Sequence, residues 1–145
     1  MMKYRLIHPE LLRALGRSGH GSQVLIADSN YPHATGGPES ATRVYLNLCP
    51  GLVSATDVLR VLLDAVPVEA ARVMAMDNDQ ESPIVEEFRK LLPTGVAIES
   101  LRRFQFYDAV NVPQTSVVIA TGEQRLYANL LLTVGVMTAE GIARF

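Results

Sequence analysis

A single cysteine, Cys49, stands in a chain of 145 residues, so no internal disulfide can form, and no His or Asp is spaced around it as a chemical partner. Between Leu48 and Pro50 it reads as a small buried hydrophobe at a strand end. An excess of positive charge is also missing. The net charge is −2 and the basic residues are scattered, which argues against nucleic acid as a partner. No apolar run approaches the roughly 18 residues of a membrane span, and Met1 to Arg5 lead into His8 and Pro9 without the apolar core of a signal peptide. The expectation is a cytoplasmic protein with no membrane partner.

Several chemical signatures are absent as well. No GxGxxG follows a strand and no Gly-Lys-Ser/Thr loop occurs, and Gly36 with Gly37 does not replace them. His8, His20 and His33 lack HxxxH spacing, so a zinc site would need a carboxylate brought from far away. There is no GxSxG elbow for an acyl-transfer serine. Metal and covalent-nucleophile chemistry therefore rank low.

What is present is a foldable alternation of helix and strand patterns. Apolar residues make up 48% and charged residues 19% of the chain, and a domain of about 150 residues buries roughly 70% of its unfolded surface. One domain over residues 1–145 is expected. Pro9 to Leu15 reads as a helix with Pro near N1 and Glu10 in the first turn. The polar turn Gly19 to Gln23 feeds the apolar run Val24 to Ala27, which stops at Asp28 and reads as a buried strand ending in a functional loop. Arg43 to Leu48 alternates as a second strand. Ser54 caps a helix running to Val66, Arg72 to Met76 forms a third strand, and Ser82 caps a helix with Pro83 at N1. Val96 to Ile98 is a short strand, Leu101 to Ala109 a helix, and Thr115 to Ala120 and Asn129 to Val136 are strands. The pattern predicts an α/β domain with a largely parallel sheet flanked by helices, in which ligands sit beyond the carboxyl ends of the strands.

Polar groups stand at the ends of strands: His20, Asp28, Arg103, and the Tyr127–Asn129 turn after Thr121, Gly122 and Glu123. Each also has a plain structural reading. His20 suits a surface turn, Asp28 a local cap, and Arg103 a surface ion pair with Asp108 or Glu99; Tyr127 and Asn129 suit a self-satisfied turn. Spacing by itself leaves both readings open.

Pro9-Glu10-Leu11-Leu12, Gly19-His20-Gly21, Ala27-Asp28, Arg103-Phe104-Gln105-Phe106-Tyr107, Thr121-Gly122-Glu123 with Tyr127-Ala128-Asn129, and Gly135-Val136 occur in this order. That succession resembles the L-fucose mutarotase and D-ribose pyranase family, from Pro9 to Val136. The resemblance implies a small α/β subunit assembled into rings, commonly decamers, that interconverts forms of a free sugar without a cofactor. It implies His20 as the catalytic proton donor, and Asp28, Arg103, Tyr127, Ala128 and Asn129 as sugar-binding residues. Arg103 within Arg-Phe-x-Phe-Tyr is similar to the fucose branch. Ser22 and Gln23 depart from the acid usual after Gly-His-Gly in that branch, Ser29 and Asn30 replace its alanine and histidine, and Ala128 resembles the ribose branch. The implied activity is exchange of α and β anomers of L-fucose or a related monosaccharide. D-ribose pyranase activity and a non-catalytic sugar-binding or transport-accessory role are the alternatives.

The residue types suit that chemistry. Opening a hemiacetal moves a proton from the anomeric hydroxyl to the ring oxygen, and an ordinary histidine, with a pKa of about 6.5, serves as both acid and base. Geometry adds a constraint: His20 precedes the strand that Asp28 ends, and at about 3.3 Å per residue the run between them exceeds 15 Å. A pocket shared across a subunit interface is therefore expected. His33 is read as a loop residue, and Glu123 as an acid behind the site that holds the Tyr127 loop.

Overall fold

The computed structural model describes residues 2–142. A six-stranded sheet runs in the order β2-β5-β1-β6-β3-β4, with β1 at Gln23–Ala27, β2 at Thr42–Tyr45, β3 at Val68–Met74, β4 at Ile98–Leu101, β5 at Thr115–Ala120 and β6 at Leu130–Val134. β1, β2 and β5 pair in parallel, as do β3 and β4. β6 lies between the two groups and runs antiparallel to both β1 and β3. The sheet is thus largely parallel, as expected, with one reversed central strand. A short hairpin, β7 at Met137–Thr138 and β8 at Gly141–Ile142, follows it.

Four helices cover the sheet: α1 at Pro9–Gly16, α2 at Ala55–Leu63, α3 at Ile84–Leu91 and α4 at Arg103–Val110. Successive strand side chains point to opposite faces, and β1 shows the result. Val24 and Ile26 join Leu11, Leu59 and Phe88 in a core under α1, α2 and α3. Leu25 and Ala27 join Phe106 and Val110 under α4. Every residue of β1 is buried, as a central strand covered on both faces requires. The His8 imidazole Nδ1 accepts from Leu11 N at 3.3 Å ahead of Pro9, and Ser54 Oγ accepts from Asp57 N at 3.1 Å, so α1 and α2 begin where their capping residues predict.

Three expectations are corrected. Cys49 is exposed, because β2 ends at Tyr45 and the chain has left the sheet for a tight turn. Val96 and Ala97 link the Thr94-Gly95 turn to β4, and the strand begins at Ile98, the register partner of Ala71. Ser82 does not cap α3; its hydroxyl donates to Leu126 O at 2.9 Å, across the fold.

Candidate active site

The direction of the strands sorts the polar residues into two groups. Asp28 follows β1, Asp77 follows β3, Arg103 follows β4 and Glu123 follows β5, so all four lie at the carboxyl edge of the parallel strands. Because β6 is reversed, the turn that precedes it, Tyr127-Ala128-Asn129, arrives at that same edge. His20 precedes β1 and sits at the opposite edge, near the start of β3 and the end of β6. Five strand residues at about 3.3 Å each separate the two edges by about 17 Å.

At the carboxyl edge a cleft of about 340 Å³ is lined by Asp28, Arg103, Tyr127 and Asn129, together with Tyr31 and Tyr107. Asp28 is 3% exposed. Its Oδ1 accepts from Asn30 N at 3.0 Å, and its Oδ2 from Ala128 N at 3.2 Å and Asn129 Nδ2 at 3.0 Å. Asn129 Oδ1 returns the contact by accepting from Asp28 N at 2.9 Å. A carboxylate has about four acceptor sites, so roughly one remains for a ligand hydroxyl. Burial pushes the Asp28 carboxyl above its ordinary range, while the bonds from Asn30, Ala128 and Asn129, and the nearby N–H of Tyr31 that bonds the Asp28 carbonyl, pull it back.

Arg103 Nη2 donates to Asp77 Oδ1 and to Tyr127 Oη, each at 2.9 Å. Asp77, rather than Asp108 or Glu99, is therefore its partner. Because the Tyr127 hydroxyl oxygen accepts from Arg103, its own proton is free to donate. Ala128 does not line the cleft: its N–H holds Asp28 and its methyl is buried in the main core. His33 stays in the loop, where its Nε2 bonds Asp28 O at 2.8 Å.

Glu123 stands behind the cleft. Its carboxylate accepts from Arg125 N, Nε and Nη2 at 2.8–3.0 Å and from Ala55 N at 3.2 Å, at the start of α2. The Arg125 guanidinium holds its pKa down at about 2. Glu123 O accepts from Ser29 N at 2.9 Å, tying this knot to the residue after Asp28. Gly122 permits it: a Cβ there would strike the carbonyls of Cys49 and Leu52, so only glycine lets the two loops meet.

At the other edge, His20 occupies the apex of a turn closed by Ser22 N donating to Gly19 O at 3.0 Å. Gly21 takes φ +80, the third-position geometry of a type II turn. His20 lines a separate cleft with Glu69 and Gly135, and Asp28 is not among the residues lining it. Sequence reading missed Asp77, Tyr31 and Tyr107. Two of them carry a usable signal: Asp77 opens the polar loop after β3, and Tyr107 lies four residues beyond Arg103, on the same helix face.

The sequence model of the RbsD / FucU transport protein family matches residues 1–137. The chain belongs to this family. Like this chain, its relatives are short: the fucose mutarotase of Bos taurus is 36% identical, with 94% of each sequence covered. The D-ribose pyranase of Variovorax paradoxus is 32% identical, over 94% of this chain and 98% of that one. Among solved RbsD/FucU structures, the fucose mutarotase of Streptococcus pneumoniae in complex with L-fucose superposes with a TM-score of 0.77 at 28% identity, covering 95% of this chain and all of that one. Among the described residues, no three His, Cys, Asp or Glu side chains come together to hold a metal ion.

Proposed function

We propose that this chain is a monosaccharide mutarotase that exchanges the α and β anomers of L-fucose or a related sugar by acid–base ring opening and closing, without a cofactor. The observation that carries this reading is the Asp28 cleft, where one acceptor site, a free tyrosine proton and an arginine fork face a space of monosaccharide size. Asp28 accepts a sugar hydroxyl, Arg103 and Tyr127 donate to sugar oxygens, and Ala128 and Asn129 hold Asp28 in register. The similarity to fucose mutarotases over nearly the whole length supports the same reading.

His20 is the proton-transfer group in this proposal, and it comes from a neighbouring copy. The two edges of one chain are too far apart for His20 and Asp28 to meet on one sugar. Phe104 and Leu126, 76% and 63% exposed beside the cleft, are suited to being covered by that neighbour. A closed ring of identical subunits, a decamer in this proposal, repeats the contact without leaving an open edge.

A second reading, D-ribose pyranase, is favoured by Ala128 and by the similarity to the Variovorax paradoxus protein. Its chemistry is the same ring opening, followed by closure through a different hydroxyl. Exchange NMR on the anomeric protons of L-fucose, D-ribose, D-galactose and D-arabinose tests both. Wild type is expected to speed exchange for one of these sugars, and His20→Ala to lose about 10²- to 10⁴-fold of that rate. Sugar binding with no acceleration over buffer would sink the enzymatic reading and leave a sugar-binding protein.

A further inference from the structure

His20 is held by one specific side-chain contact, with Glu69. Its Nε2 lies 3.0 Å from Glu69 Oε2 and 3.2 Å from Oε1, and none of the described residues bonds its Nδ1. A carboxylate oxygen accepts and does not donate, so Nε2 carries the proton of this hydrogen bond. A neutral imidazole has one N–H, which leaves the lone pair on Nδ1.

We propose that Glu69 is a positioning residue that fixes His20 as the Nε2–H tautomer, making Nδ1 the atom that exchanges protons with the sugar. The assignment rests on the mutarotase reading for its chemistry and on geometry alone for the tautomer. Nδ1 takes the proton of the anomeric hydroxyl as the bond between C1 and the ring oxygen breaks and the C1 carbonyl forms. The same nitrogen then delivers that proton to the ring oxygen. Closing on the other face of the carbonyl reverses both transfers, so no proton or electron pair is left over. Glu69 stays a carboxylate throughout and steadies the imidazolium between the two transfers.

Both partners are built into place. The turn that carries His20 is tied to β6 by Gly21 N donating to Val134 O at 2.9 Å and Val134 N donating to Ser22 O at 2.8 Å. Glu69 is the second residue of β3, and its Cβ packs against Gly135, just past the end of β6. A Cβ added at Gly135 would lie 3.2 Å from the Glu69 Cβ, closer than side chains ordinarily pack. Of the described residues lining this cleft, Glu69 is the only titratable one besides His20. No other described residue there hydrogen-bonds the ring.

The test combines ¹⁵N NMR of the histidine rings, at a pH where they are neutral, with anomeric-exchange kinetics. His20 signals are assigned by their loss in His20→Ala. Wild type is expected to show Nε2–H, and Glu69→Gln, whose amide can donate or accept, a mixture of tautomers. Exchange by Glu69→Gln is expected to fall at least about tenfold in kcat with KM nearly unchanged, in the direction seen when an orienting acid becomes an amide elsewhere. Glu69→Asp should keep the Nε2–H tautomer and recover part of the rate. Gly135→Ala, which displaces the carboxylate without removing it, should move the same way as Glu69→Gln and serves if that variant does not fold. A wild-type ring protonated on Nδ1, or wild-type kcat in both Glu69→Gln and Gly135→Ala, overturns the assignment. If wild type accelerates no sugar, the mutarotase reading falls, and the ring tautomer by itself still decides whether Glu69 fixes His20.

Discussion

Tyr127 holds φ +61, a left-handed backbone that costs a non-glycine residue on the order of 1–3 kcal/mol. The surrounding bonds hold it there. Ser82 Oγ donates to the carbonyl just before it, and Ala128 N and Asn129 Nδ2, just after it, donate to Asp28. The result is a phenol aimed at Arg103, whose guanidinium carbon lies 5.7 Å from the centre of the ring. Tyr127→Phe removes the hydroxyl that accepts from Arg103 and, in the proposed site, donates to sugar. At about 1–1.5 kcal/mol for such a bond, KM for the preferred sugar is expected to rise about tenfold while the melting temperature holds. Steady-state exchange measurements read the first, and thermal unfolding the second. At this scale the sequence indicated residue types but not partners. Asp77 is 26 positions before Arg103 and Ser82 is 44 before Leu126, and no local pattern links residues so far apart.

Elements were more legible, because helix and strand signals are local. Pro9 and Ser54 begin helices as their chemistry predicts, and Thr115–Ala120 appears with the expected bounds. The misreadings share a cause: tertiary partners overrode local pattern. Ser82 spends its hydroxyl on the Tyr127 turn, and the register with β3 starts β4 at Ile98 rather than at Val96. The knot around Glu123 ties together the loop after β5, the start of α2 and the residue after Asp28. With its pKa held at about 2 against an ordinary 4.5, Glu123 stabilises the fold above pH 4.5. That contribution is lost as pH falls from 4.5 toward 2. Asp28, shifted upward, has the opposite sign: its contribution is greatest below its ordinary value of 3.8 and fades as pH rises through its folded-state value. Glu123→Gln is expected to cost roughly 1–3 kcal/mol at neutral pH and to flatten the acid limb. Urea unfolding at a series of pH values reads both, and an acid limb unchanged in the variant would show that another group governs it.

At the scale of the whole molecule, a site divided between copies makes a prediction that no single-chain site shares. His20→Ala and Asp28→Asn are each expected to be nearly inactive alone. Co-expressed or refolded together, they should recover activity, because some interfaces then join an intact His20 edge to an intact Asp28 edge. Recovery in mixed assemblies, with none when separately assembled proteins are simply combined, would establish the shared pocket. Failure of every mixture to recover would confine the chemistry to one chain.

The amino-acid sequence by itself determined the α/β alternation, the buried central strand and the residue types able to move a proton in a sugar ring. These depend on periodicity, capping chemistry and side-chain identity, which are written locally along the chain. Tertiary structure alone decided that β6 runs backwards between β1 and β3, bringing Tyr127 and Asn129 to Asp28, and that His20 faces Glu69 at the far edge. Strand order and direction come from which strands pair across the sheet, and the pairings of β6 join residues from 57 to 110 positions apart.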